Sequence, residues 1–232
     1  MKLNNKRTIL VGLAFLSICA FWQMYDSIVP LILTKTFHMN ETFSGAIMAA
    51  DNILALFLLP FFGSVSDKSH SKLGKRMPFI LFGTGCAIIL MNILPLLDNS
   101  YAAQPSGFKT ASFVIVLGLL LVAMGTYRAP AVALMPDVTP KPLRSRANAI
   151  INLMGAVGGI LYLGVAAVLY PNSKTAGLDH VNYQPLFIVV SAIMFVAVAV
   201  LFLTIREPKL TAENQALEKQ HPEWLSLIHI SE

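Results

Sequence analysis

Charge is what this chain has little of. Lys, Arg, Asp and Glu together make up 12% of its 232 residues, about half the share usual in a soluble domain. Cysteine is nearly absent. Cys19 and Cys86 both lie inside apolar stretches, which excludes a disulfide framework or a cysteine-based metal site and leaves two small buried hydrophobes. The histidines, at 38, 70, 180, 221 and 229, all fall outside the apolar stretches. No HExxH, GxSxG, CxxC or paired metal-ligand motif occurs, so the chain reads as a non-enzyme without cofactor or metal. The ten-residue segments of alternating polarity that a membrane β-barrel requires are missing too.

Apolar length takes their place. The hydrophobic share is 56% and the mean hydropathy +0.67. Six blocks stand out: 8–33, 43–63, 78–97, 111–135, 147–170 and 185–205. Each is long enough, at about 1.5 Å per helical residue, to cross a hydrocarbon core of about 30 Å. The fold expected is an all-α polytopic membrane protein whose first partner is the lipid bilayer. Lys2, Lys6 and Arg7 followed by ILVGLAFLSICAFW imitate a signal peptide. The apolar run continues past Pro30 without a clean small-x-small cleavage site, so we read it as a retained first span. The organisation expected is an N-terminus over 1–7, a six-helix bundle over 8–206 and a polar tail over 207–232. The last eight residues, LSLIHISE (225–232), depart from the tail's character and read as a foreign or frame-shifted end.

The basic residues are distributed unevenly. With six spans, one side carries Lys2, Lys6, Arg7, Lys68, Lys72, Lys75, Arg76, Lys141, Arg144, Arg146, Arg206, Lys209 and Lys219, against Lys35, Lys109 and Lys174 on the other. This bias places both termini in the cytoplasm, the plasma membrane being the natural address. The net charge of +5 is thereby spent on topology, and no nucleic-acid partner is implied.

The polar interruption GSVSDKSHSKLGKRMPFI, residues 63–80, has a recognisable pattern. Gly63 is followed four residues later by Asp67 and Lys68, then by Gly74, Lys75 and Arg76. It resembles the loop between helices 2 and 3 of the major facilitator superfamily, with about four extra residues before the second glycine. The longer form, with Pro78-Phe79-Ile80 after it, resembles the sucrose-type and glycoside–cation symporter branch. DNILALFLLPFFG (51–63) and YRAPAVALMPDVTP (127–140), with Arg144 and Arg146 after it, are similar to that branch's second helix and helix 4–5 junction. The resemblance implies a 3+3 helix repeat forming the N-terminal half of a twelve-helix transporter, with a C-terminal six-helix half as the missing partner. It implies sugar transport by alternating access, a pairing of Arg76 with Asp137, and a place for Asp67 at a helix N-terminus of the other half.

Charges inside spans are costly, which singles out three residues. Asp26 and Asp51 fall roughly 10 and 12 Å from the outer ends of spans 1 and 2, at one level if the two form a hairpin, and suit either proton coupling or a cation site or a place near the outer rim, solvated or paired with Asn52 or Lys35. Tyr25, Gln23, Trp22 and Asn52 adjoin them. Aromatic faces with amide donors suit a sugar; they equally suit an interfacial aromatic belt, the reading we give Trp22. Arg128 falls roughly 25 Å down span 4 and reads either as a substrate contact or as a structural ion-pair member. The melibiose-type sodium site calls for two carboxylates four apart on helix 2. Ala55 and Leu59 stand at the nearby positions, which favours protons over sodium. Gly155, Gly158, Gly159, Gly164, Gly118 and Gly125 read as helix-contact points, and span 6, without charge, as a scaffold or lipid-facing helix. Proton-coupled sugar symport leads; efflux or antiport of drugs or other solutes, and a non-functional fragment, stay open. GAVGGILYLG in span 5 lacks the Gly-Pro element of many facilitator antiporters.

Overall fold

A computed structural model describes residues 3–178, 180–222 and 224. The expected foreign end, 225–232, lies outside the described residues. Long helices α1 (Asn5–Leu31), α2 (Glu41–Asp67), α3 (Met77–Ala103), α4 (Gly107–Val138), α5 (Arg144–Leu169) and α7 (Gln184–Thr204) account for the six apolar blocks. Each is long and apolar enough to cross a membrane. A π-helical turn, Ile32–Thr36, extends α1, and a short helix α6, Asn172–Thr175, lies in the connector before α7. Residues Glu207–Gln220 form a polar helix, α8.

Local chemistry sets the helix starts. The Asn4 side chain accepts from the Arg7 N–H at 3.1 Å and Asn40 from the Phe43 N–H at 2.8 Å, each satisfying a donor that the first turn leaves over. Proline opens α3, α7 and α8, where a missing N–H costs nothing. Pro30, Pro60, Pro95, Pro130 and Pro136 sit inside spans, a placement that neighbouring membrane helices tolerate.

The helices pack as two interlocked triplets, α1–α2–α3 and α4–α5–α7. The first helix of each triplet packs on the second of the other: α1 on α5, α4 on α2. The third of each packs on the first of the other, α3 on α4 and α7 on α1, and the two third helices touch. Exchanging the triplets maps this pattern onto itself, which is the arrangement of a 3+3 repeat. The charged loops and α8 gather at one end, called here the basic end.

Between α1 and α5 there is no room for a side chain at one point. A Cβ on Gly158 would meet the Leu16 carbonyl closer than any real contact. At the α3–α4 contact, a Cβ on Gly83 would lie 2.7 Å from the Tyr127 nitrogen. Gly164 and Gly118, read from the sequence as contact points, meet nothing within 4 Å. Helix α7 is two-faced: Leu186, Phe187, Val190, Met194 and Leu201 are fully buried, while Phe195, Val196 and Leu203 are exposed. The outward helix is α2, whose apolar window has no buried residue and whose Leu56 is 70% exposed.

Gly158→Ala is expected to lower the protein's stability by about 1–3 kcal/mol through backbone overlap, read as a drop in the thermal midpoint in detergent. Gly164→Ala, with open space around it, should leave that midpoint in place.

Candidate functional site

Two groups of polar side chains are built into the apolar bundle. The first is a knot at the basic end. Arg76, 5% exposed, stands at the N-cap of α3. Its Nε donates to Asp137 Oδ2 at 2.8 Å at the end of α4. Its Nη2 donates to Asp67 Oδ1 at the end of α2. Its Nη1 donates to Ser66 Oγ at 2.5 Å and to the Gly63 carbonyl at 3.4 Å. Burial alone would weaken the guanidinium's hold on its proton, but Asp137 and then Asp67 outweigh it and raise the pKa above its ordinary value. The planar fork lets one cation serve two carboxylates. Asp67, read from the sequence as lacking its partner, thus pairs within the chain.

A residue that sequence reasoning passed over completes the knot. Glu207, at the start of α8 and 2% exposed, accepts four hydrogen bonds. They come from the N–H of Lys75 at 2.7 Å, of Arg76 at 2.9 and 3.1 Å, and of Met77 at 2.8 Å. A buried carboxylate on the free N–H groups of a helix start is stabilised by hydrogen bonding and by the helix dipole together. Gly74 makes this possible. Its φ of +114° suits glycine, and a Cβ there would overlap the Glu207 carboxylate. Further along α8, Asn214 Nδ2 donates to the Asp137 and Thr139 carbonyls at 3.1 and 3.4 Å. Arg144 closes the other side, donating to the carbonyls of Pro136 at 2.9 Å and Thr139 at 3.1 Å and pairing with Glu218 at 3.0 Å. The polar tail is therefore a docked helix. Lys68 ends α2 as its exposed C-cap, and the Lys75 side chain is exposed.

The second group lies within the bundle. Trp22 from α1, Asp51 and Leu54 from α2 and Gly125 and Arg128 from α4 line one narrow cleft. The Arg128 guanidinium carbon lies 5.5 Å from the centre of the Trp22 ring, within cation–π range. Trp22 is thus the floor under a half-buried cation. The cleft's volume is about 20 Å³, room for about one water molecule. Asp51, half-buried, accepts from Asn52 Nδ2 at 2.7 Å. Asp26 is exposed on α1 and near enough for its charge to interact with that of Asp51. Tyr25 is almost fully buried, stacked on Phe21 with ring centres 6.0 Å apart, and its hydroxyl has no hydrogen-bond partner among the described residues. It packs the core beneath the carboxylates. Gln23 faces α5, its Oε1 3.8 Å from where a Gly159 Cβ would stand. Beside Arg128, the Tyr127 hydroxyl bonds Ser17 Oγ at 2.6 Å and the Ala14 carbonyl at 3.0 Å, fixing α4 to α1 at the level of the cleft.

Known proteins are similar to this chain in sequence. It is 35% identical over 158 residues to the sucrose transport protein SUC3 of Arabidopsis thaliana, covering 63% of this chain and 26% of that protein. It is 36% identical over 154 residues to the sucrose transport protein SUT3 of Oryza sativa subsp. indica, covering 60% and 30%. It is 25% identical over 186 residues to solute carrier family 45 member 3 of Homo sapiens, covering 78% and 34%. These matches span about a quarter to a third of the relatives' own lengths. The family model for the Major Facilitator Superfamily matches residues 11–231. With six membrane helices in a 3+3 arrangement and that match over nearly its whole length, the chain belongs to the Major Facilitator Superfamily, its similarity running to the sucrose-type branch.

Proposed function

We propose that this chain is one six-helix half of a proton-coupled sugar symporter that works by alternating access, a second half supplying the opposite wall of the substrate cavity. The observation that carries the reading is Arg128 held over Trp22 in the cleft that Asp51 also lines. A guanidinium stacked on an indole keeps its N–H edge available, and an aromatic floor with a donor edge is what a hydroxyl-rich ring needs. The sucrose transport proteins among the relatives point to the same class of solute. A cleft of one-water size supports placing the sugar between halves, at the mouth of this cleft rather than inside it.

In this reading Asp51, with Asp26 as its neighbour, carries the coupling proton, and Ala55 and Leu59 disfavour sodium. The knot around Arg76 is a cytoplasmic lock, with both termini on that side of the plasma membrane as the basic residues suggest. Exposed ion pairs add little stability by themselves, but Arg76 is buried and its pairs are costly to break. They favour one gating state to the extent that they are made in it and broken in the other. Efflux or antiport is the second reading.

Three measurements test this. Trp22 and Trp224 are the chain's only tryptophans, so Trp224→Phe leaves Trp22 as sole fluorophore. Sucrose should then change its emission saturably, and Arg128→Lys should weaken binding at least ~10-fold, the equivalent of one lost charge-assisted hydrogen bond. An emission that no sugar of a panel alters removes the sugar assignment. In proteoliposomes holding the complete transporter, Arg76→Asp and Asp137→Arg should each cut proton-driven uptake by about tenfold or more, and the double variant should recover part of it. Singles and double equally inactive would discount the lock. Asp51→Asn is expected to abolish accumulation against a gradient; unchanged uptake with intact pH dependence would remove Asp51 from the coupling.

A further inference from the structure

At the end opposite the basic loops, a buried carboxylate stands outside everything described so far. Asp98, in the last turns of α3, is fully buried, and neither of its oxygens accepts a hydrogen bond among the described residues. The group nearest in charge is His180, from the connector between α5 and α7, whose Nδ1 lies 3.9 Å from Asp98 Oδ1. The Thr36 hydroxyl, from the π-helical turn that ends α1, lies alongside and is 3.1 Å from that same Nδ1. No Lys or Arg nitrogen among the described residues pairs with Asp98. The other titratable group turned toward it is the Tyr183 phenol from the same connector, raised in pKa by burial and then by the charge of Asp98.

The hydrogen bonds settle where the imidazole proton sits. The Gln184 N–H donates to Asn182 Oδ1 at 3.0 Å, which fixes that oxygen. Asn99 Nδ2 donates to the same oxygen at 2.9 Å, which orients the Asn99 amide. Its Oδ1 then faces His180 Nε2 at 2.9 Å, so Nε2 carries hydrogen. Nδ1 is therefore the nitrogen that gains or loses a proton, and it is the one facing Asp98 and Thr36.

We propose that Asp98 and His180 form a proton-binding site at this end of the molecule, and that one bound proton pins the connector between α5 and α7 onto the ends of α1 and α3. The proton comes from hydronium: one O–H bond breaks as the Nδ1–H bond forms, and water is left. The imidazolium then neutralises a carboxylate that has no other cation beside it. When the proton leaves, Asp98 remains as a buried anion without counter-charge, a state that low-dielectric surroundings penalise strongly. Hydration of the carboxylate and separation of the connector relieve it. A histidine gaining a carboxylate partner contributes its stabilisation at low pH and loses it as pH rises. The connector is thus docked in acid and released in alkali. This rests on the cluster's geometry and holds whichever solute the protein carries.

The test uses the protein in lipid nanodiscs. The imidazole nitrogen resonances of His180, assigned by loss of one signal in His180→Gln, should change their pH profile when Asp98 is replaced by Asn. Hydrogen exchange of the connector amides, corrected for intrinsic pH dependence, should be slower at about pH 5.5 than at about pH 8. That difference should vanish in Asp98→Asn and in His180→Gln. An imidazole pH profile unchanged by loss of the carboxylate would overturn the proposal, as would pH-independent connector protection in the parent protein. The latter needs no variant, so a failure of Asp98→Asn to fold leaves the proposal open to refutation.

Discussion

One guanidinium holds the basic end of this molecule together. Arg76 reaches the ends of α2 and α4 through Asp67 and Asp137 from its own position at the start of α3. Its backbone, with that of Lys75 and Met77, is held in turn by Glu207 of α8. Four helices converge on a residue that is 5% exposed. A buried cation cannot give up one partner cheaply, so the four helix ends move together or the knot comes apart as a unit.

The cleft follows the same physics with the opposite outcome. Arg128 is set over an indole with Asp51 lining the same space, and these two charges are not drawn into an ion pair among the described residues. Charges near a bilayer's middle are expensive. Two of opposite sign kept near each other but unpaired remain available to a third party. The Tyr127–Ser17 bond next to Arg128 keeps the backbone beneath this arrangement still.

Bilayer thickness made the spans legible, because it sets a length that any apolar run must meet. The helices run past the blocks at their ends, as α3 does to Ala103 and α4 to Val138, since helices continue into the interface where polar residues cap them. Arg76 and Asp137 could be matched because their spacing follows a family pattern. Glu207 could not: it is one acid in a polar tail, and its only local signal is Pro208 behind it, which marks a helix start without saying what that start touches. Asp98 was hidden by its place just beyond an apolar block, where a polar residue looks like an ordinary boundary. The glycines divide for a related reason. Composition tells which residues lack a side chain, yet only the turn of the helix decides that Gly158 and Gly83 meet a neighbour while Gly164 and Gly118 do not.

The interlocked triplets also constrain the order in which the chain can mature. Helix α1 packs mainly on α5, and α1 is the most buried span while α2 is the least. During synthesis α1 enters the membrane more than a hundred residues ahead of the partner that receives Gly158 against Leu16. Until α5 arrives, the face of α1 meant for protein is covered by lipid or by the insertion machinery. Long-range pairing of this kind is slow and comes late. Before residue 144 is made, α2, α3 and α4 can already pair while α1 lacks its main partner, so closure of the two triplets waits for α5.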